Sequence, residues 1–158
     1  MLDLNHLKNY RENDQIEAKN ALGGLPESIW ETYSAFANAE GGVILLGVEE
    51  LPDKSLRALD LPDPRWLLED FREGLNNPAL VSVNILREED LEIHLVEGGK
   101  IITVTVPPAP SGLRPVYVFQ EDRWVAFIRR GEGDFQCTRE QIEKMYQERE
   151  KSHGFSDC

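Results

Sequence analysis

One stretch limits the folds open to this chain: Thr-Tyr-Ser-Ala-Phe-Ala-Asn-Ala-Glu-Gly-Gly-Val-Ile-Leu-Leu-Gly-Val-Glu-Glu, from Thr32 to Glu50. Trp30, Tyr33, Phe36 and Ala37 fall at i, i+3, i+6 and i+7, which puts them on one apolar helical face. Gly41-Gly42 ends that helix, because glycine takes the left-handed C′ conformation without a Cβ clash. Val43 to Val48 follows as an aliphatic run, the pattern of a strand covered on both faces and therefore interior to a sheet. Gly47 within it signals a bulge or a close approach of backbone. The spacing predicts helix, sharp turn and central strand as the hub of an α/β domain. Glu49 and Glu50 stand where the strand leaves the core.

The segments on either side supply the remaining layers. Before the hub, Gln15 to Lys19 alternates as a strand with one polar face, so Glu17 and Lys19 point the same way. His6 to Arg11 is compatible with a short helix or an extended arm. Leu51 to Pro64 reads as an exposed loop. Asp63-Pro64 then opens a second helix carrying Trp66, Leu67, Phe71 and Leu75, and Asn76-Asn77-Pro78 closes it. Leu80 to Leu86 reads as an imperfect strand. Leu91 to Val96 and Ile101 to Val106 form a hairpin about Gly98-Gly99, and Val116–Phe119 pairs with Trp124–Ile128 about Glu121-Asp122. Thr138-Arg139-Glu140-Gln141 resembles a capping box before a last helix, Glu140 to Lys151. These pieces make one domain over residues 1–151, a mixed β-sheet of about six or seven strands with helices packed against it. Residues 152–158 are left as a disordered tail, at a point where a longer protein would continue into a C-terminal region.

Composition narrows the function classes. The 158 residues are 41% hydrophobic, enough for one ordinary core, and contain no apolar run long enough to span a bilayer. Two cysteines, Cys137 and Cys158, build neither a disulfide framework nor a cysteine-rich zinc site, and the chain reads as cytoplasmic. The net charge of −12 argues against a surface coated with phosphate-binding groups. Charge is nonetheless uneven. Glu49 to Lys100 carries 13 acids against 6 bases, whereas Ser111 to Gly131 carries 2 acids against Arg114, Arg123, Arg129 and Arg130. A local basic face on an acidic body is one reading of this contrast, and a solvated surface without a partner is the other.

Four motifs, in their order and spacing, carry a resemblance to a known family. They are Glu12-x4-Glu17-x-Lys19, the block Ala35-Phe36-Ala37-Asn38-Ala39-Glu40-Gly41-Gly42, Gly47-Val48-Glu49-Glu50, and Pro115-Val116-Tyr117 followed by Phe127-Ile128-Arg129-Arg130-Gly131. The chain resembles the Schlafen AlbA-like DNA-binding domain family from Glu12 to Tyr146. The resemblance implies the N-terminal module of a bacterial transcriptional regulator, with DNA or RNA as partner. On the residues, Lys19, Arg114, Arg129 and Arg130 are the candidate nucleic-acid contacts, since arginine binds phosphate bidentately.

Animal relatives of that fold are ribonucleases using three carboxylates, which correspond here to Glu12, Glu17 and Glu50. Under that alternative Glu17 and Glu50 would hold Mg²⁺ or Mn²⁺; under the binding reading no cofactor is expected. Taken alone, the three acids read more readily as unrelated surface groups. Glu12 lies five residues before Glu17 and reaches the same face only if the chain bends between them. Ala18 stands where the family has Phe, Glu50 where it has Asp, and the Cys/His zinc site has no counterpart. These departures rank binding above catalysis. A protein-interaction or homo-oligomer module, with no membrane association, is the third class. Asn38 is expected to stabilise its turn, and Tyr117 and Trp124 to serve the core more readily than to stack bases.

Overall fold

The computed structural model describes residues 2–154. Its strands are β1 (Ile16–Lys19), β2 (Gly42–Leu46), β3 (Val48–Glu50), β4 (Leu56–Ala58), β5 (Leu91–Val96), β6 (Gly99–Val106), β7 (Tyr117–Gln120), β8 (Arg123–Arg130) and β9 (Gly133–Gln136). Its α-helices are α1 (Ile29–Ala37), α2 (Pro64–Leu75) and α3 (Arg139–Gly154). The strands form a four-stranded sheet in the order β1-β2-β6-β5, a β3-β4 hairpin and a three-stranded β7-β8-β9 sheet. β1 runs parallel to β2, and β6 antiparallel to both its neighbours, so the main sheet is mixed.

The hub holds its expected place. β2 lies between β1 and β6. Its side chains divide by the period of two: Ile44 and Leu46 join Ile102, Val104 and Val106 under α1 and α2, while Leu45 joins Ile101, Val48, Leu56 and Leu7 on the other face. The run is apolar throughout because both faces are covered. A short 3₁₀ helix, Leu4–Asn9, and the β3-β4 hairpin cover the second face. On the first face α1 and α2 meet through Trp30 and Phe71, stacked with centroids 5.1 Å apart.

The Gly41-Gly42 turn divides its work. Gly41 is the left-handed residue, at φ 79°, and its amide donates to the Phe36 carbonyl at 3.0 Å. Gly42 has ordinary φ but no space, since a Cβ there would meet the Phe36 ring at 2.8 Å. Gly47, at φ 82°, ends β2: its amide donates to the Lys19 carbonyl and its own carbonyl accepts from the Leu59 amide. A Cβ on Gly47 would stand 2.6 Å from Leu61 Cγ. The single run foreseen over Val43 to Val48 is therefore two strands in two sheets.

Other differences have local causes. Leu80 to Leu86 makes one isolated bridge, Val81 to Val118, and no strand. The Tyr33 hydroxyl reaches out of α1, donates to the Val83 carbonyl and accepts from the Ile85 amide, so the segment's backbone is satisfied without a ladder. The loop expected from Leu51 to Pro64 contains β4, whose Arg57 stands opposite Glu49 and pairs with it. The first long hairpin turns on Glu97-Gly98, both at positive φ, one residue earlier than expected. At the predicted capping box, the Thr138 amide donates to Gln141 Oε1 at 2.8 Å and the Gln141 amide donates to Thr138 Oγ1 at 3.1 Å. α3 continues to Gly154, into the segment expected to be a tail, whose residues 155–158 lie outside the described range. Among the described residues no helix is long and apolar enough to cross a membrane.

Candidate functional site

The three acids named from sequence gather at the outer edge of β1, and the chain does bend to bring them there. Asn13 turns back on Ile16, its amide donating to the Ile16 carbonyl at 3.1 Å. That turn folds Glu12 alongside β1, where Glu12 Oε2 accepts the Ala18 amide at 2.9 Å. Glu17 and Glu50 lie close enough for their charge to act on it. Burial pushes the Glu12 carboxyl up to about 7; the Ala18 hydrogen bond opposes this, and the Glu17 and Glu50 carboxylates add to it.

A raised folded value means that folding favours the protonated form of Glu12. Its contribution is fully present below the ordinary value of 4.5 and is lost as pH rises through about 7. Glu12→Gln keeps the acceptor and removes the charge. The melting temperature of the Gln variant is therefore expected to match the parent's near pH 4.5 and to exceed it progressively toward pH 8. Parallel melting curves across that range check this, and a constant offset would refute it.

Arg129 decides what the rest of the site can do. Its side chain is 1% exposed. Nη2 donates to Glu17 Oε1 at 2.9 Å and to the Asn13 and Ile16 carbonyls; Nη1 donates to Asp134 Oδ1 at 2.7 Å; and the group lies over the Phe36 ring at 4.9 Å. Asp134 in turn accepts from Thr32 Oγ1 at 2.6 Å. One guanidinium thus ties β8, β9, β1, the turn before it and α1. The strand pattern put Arg129 at an exposed end, yet its alternation with Val125 and Phe127 points it inward.

The other cations named from sequence also separate. Arg114 donates to the Ala109, Asn38 and Ala39 carbonyls and is held inside its own loop. Lys19 donates to Ser28 Oγ at 3.0 Å, lies 3.6 Å from Glu17 Oε2, and has a side chain 9% exposed. Arg130 alone of the four is exposed, and its guanidinium lies over the Phe135 ring at 4.4 Å. Lys19, Arg114 and Arg129 are thus corrected from surface contacts to internal ones.

The implied Mg²⁺ or Mn²⁺ does not fit the donors present. Among the described residues no group of three or more His, Cys, Asp or Glu side chains is disposed to hold a metal ion. Glu17 gives one oxygen to Arg129 and turns the other toward Lys19, while Glu12 gives one to backbone. The acids and Arg129 act here as a clasp on an edge strand.

Trp124, expected in the core, belongs instead to an exposed aromatic face. In β8 the residues Trp124, Ala126, Ile128 and Arg130 point away from the core, and the register sets Phe119 opposite Trp124 and Phe135 opposite Ile128. Phe119, Trp124 and Phe135 are each about two-fifths exposed, and the first two meet edge to face at 5.3 Å. From α3 the Tyr146 hydroxyl reaches the Tyr117 hydroxyl of this sheet at 3.0 Å. Arg123 and Arg130 enter no ion pair among the described residues, unlike Arg57, Arg72, Arg87 and Arg139. Phe135 sits on a strand too short to show periodicity, and only the neighbouring Arg-Arg-Gly exit marked it.

The sequence model of the Schlafen, AlbA_2 family matches residues 12–138. The chain belongs to the Schlafen AlbA_2 family. Among solved structures, this AlbA_2 chain is similar to the N-terminal domain of a RecG-related protein from Nitrosomonas europaea. That match is at 29% identity and TM-score 0.63, covering 85% of this chain and 90% of that one. It shares its fold with a protein from Corynebacterium diphtheriae at 18% identity and TM-score 0.56, covering 85% of this chain and 27% of that one. No curated protein sequence matches it.

Proposed function

We propose that this AlbA_2 domain binds nucleic acid, DNA ahead of RNA, as a module of a bacterial transcriptional regulator. Its contact face would be the outward surface of β7-β8-β9. The observation that carries the reading is the exposed Arg130 guanidinium over Phe135, on the same sheet face as the half-exposed Trp124–Phe119 pair. Aromatic rings stack on bases of any sequence, and an unpaired arginine meets a phosphate. Family membership and the likeness to a RecG-related N-terminal domain support a nucleic-acid role. The net charge of −12 sets the expectation of weak affinity for the isolated domain.

Fluorescence anisotropy with single-stranded DNA, duplex DNA and structured RNA at two salt concentrations tests it. Affinity is expected to fall with salt. Trp124→Ala should cost about 1–3 kcal/mol on single strands. Arg130→Ala should weaken all sequences alike and lower the salt slope by about one. No binding to any of the three at low salt would remove the reading. The metal-dependent ribonuclease ranks below it because Glu17 is held by Arg129 and Lys19. Transfer RNA cleavage lost on both chelation and Glu17→Gln would reverse that order.

A further inference from the structure

The two edges of the main sheet are treated differently. At the β1 edge, the outward Ala18 amide is taken by Glu12, and the Ile16 carbonyl accepts from both Asn13 and Arg129. Side chains close that edge to another strand. Among the described residues the β5 edge has no such cover. The Lys100 amide donates to Asp60 and the Lys100 carbonyl accepts from Leu61, so both point away from Leu95, its partner across the ladder. The Leu95–Lys100 pair is therefore the non-bonded kind, and by alternation so is Ile93–Ile102. The backbone groups of Ile93 and Leu95 face outward and have no partner among the described residues. Their side chains are 39% and 74% exposed.

We infer that β5 is a homodimer edge, pairing antiparallel with β5 of a second copy about a two-fold axis at Ile93. The sequence Leu91-Glu92-Ile93-His94-Leu95 is self-complementary in that register. Ile93 meets Ile93 in a bonded pair, and Leu91 meets Leu95 on either side. Glu92 and His94 pair at 3.3 Å within one chain, with His94 Nε2 3.0 Å from Thr103 Oγ1. They also meet across the axis in the non-bonded pairs, where opposing side chains approach most closely. An acid thus faces a base twice, and the apolar residues line the opposite face. A register slipped by two residues toward the turn would centre on His94 and set His94 against His94, and one slipped by four would centre on Leu95; both lose the Glu92–His94 matches. The Leu91 amide is already committed to the Glu88 carbonyl, which leaves Ile93 and Leu95 as the amide donors of the pairing. The result is one continuous eight-stranded sheet whose two outer edges are the clasped β1 strands.

Sedimentation equilibrium of the 158-residue chain tests this. The parent is expected to be in monomer–dimer equilibrium. Ile93→Pro removes an amide that β6 does not use, and proline is tolerated at such a site on an edge strand. It should raise the dimer dissociation constant about tenfold or more. His94→Glu should also weaken the dimer by setting Glu92 against a second carboxylate, and adding Glu92→Lys should restore it. That rescue reports the register and does not depend on the proline variant folding. Monomer alone up to about 1 mM would overturn the inference and leave the edge for a strand of some other chain. A dimer unmoved by Ile93→Pro and by both His94→Glu variants would overturn it equally.

Discussion

Replacing Arg129 with methionine is expected to lower unfolding free energy by about 3–5 kcal/mol, the range for removing one partner from a buried charge network. Methionine keeps much of the stem's volume, so the loss isolates the guanidinium. Glu17 and Asp134 would remain as neighbouring carboxylates beside Phe36 without their cation, and the Asn13 and Ile16 carbonyls would each lose a donor. Part of the cost is relieved where Glu17 can turn to Lys19 and water, since its side chain is 16% exposed. Arg129→Lys should recover only a fraction, because one ammonium cannot replace a planar fork serving four acceptors. Urea denaturation with a common m-value measures both variants. A Met variant within about 1 kcal/mol of the parent would mean that the clasp contributes little to folding.

The second large effect is expected at Asn38. This residue is 2% exposed and uses its whole amide. Nδ2 donates to the Phe127 carbonyl at 2.9 Å and the Val116 carbonyl at 3.1 Å, and Oδ1 accepts the Val116 amide at 2.8 Å. Ser34 backs it, donating to the Val116 carbonyl and accepting from the Phe127 amide. Together they join the end of α1 to β8 and to the segment entering β7. Asn38→Ala leaves the Val116 amide and the Phe127 carbonyl buried without partners, at about 1–3 kcal/mol each. Asn38→Asp should be at least as harmful, since a carboxylate cannot donate to two carbonyls. Thermal unfolding compared with Asn84→Ala, a surface amide, checks this. Equal effects at the two sites would refute the assignment.

These two residues show where reading from sequence stopped. The hub was legible because its signals are local: an apolar helical face, a glycine pair and an unbroken aliphatic run each follow from neighbours along the chain. The bend that folds Glu12 back could be stated only as a condition, since alternation alone sends it to the wrong face. Arg129 was misplaced for a different reason. A charged residue near a strand end belongs to the surface unless acids from elsewhere meet it, and Asp134 and Glu17 are separated from it by very different lengths of chain. The exposed Trp124 and Phe135 likewise follow from the pairing register of a short second sheet, which sequence pattern does not fix.

By itself the sequence determined the elements that local pattern controls: α1 with its Gly41 exit, α2 with its Asp63 cap, the β5-β6 and β7-β8 hairpins, and the family through four spaced motifs. Tertiary structure decided which polar groups face solvent. It turned Arg114, Arg129 and Lys19 inward, left Arg130 out, closed the β1 edge and left β5 open. The physical reason is that propensity and periodicity act over a few residues. The exposure of a charge is set instead by partners that only the folded chain brings within hydrogen-bonding distance.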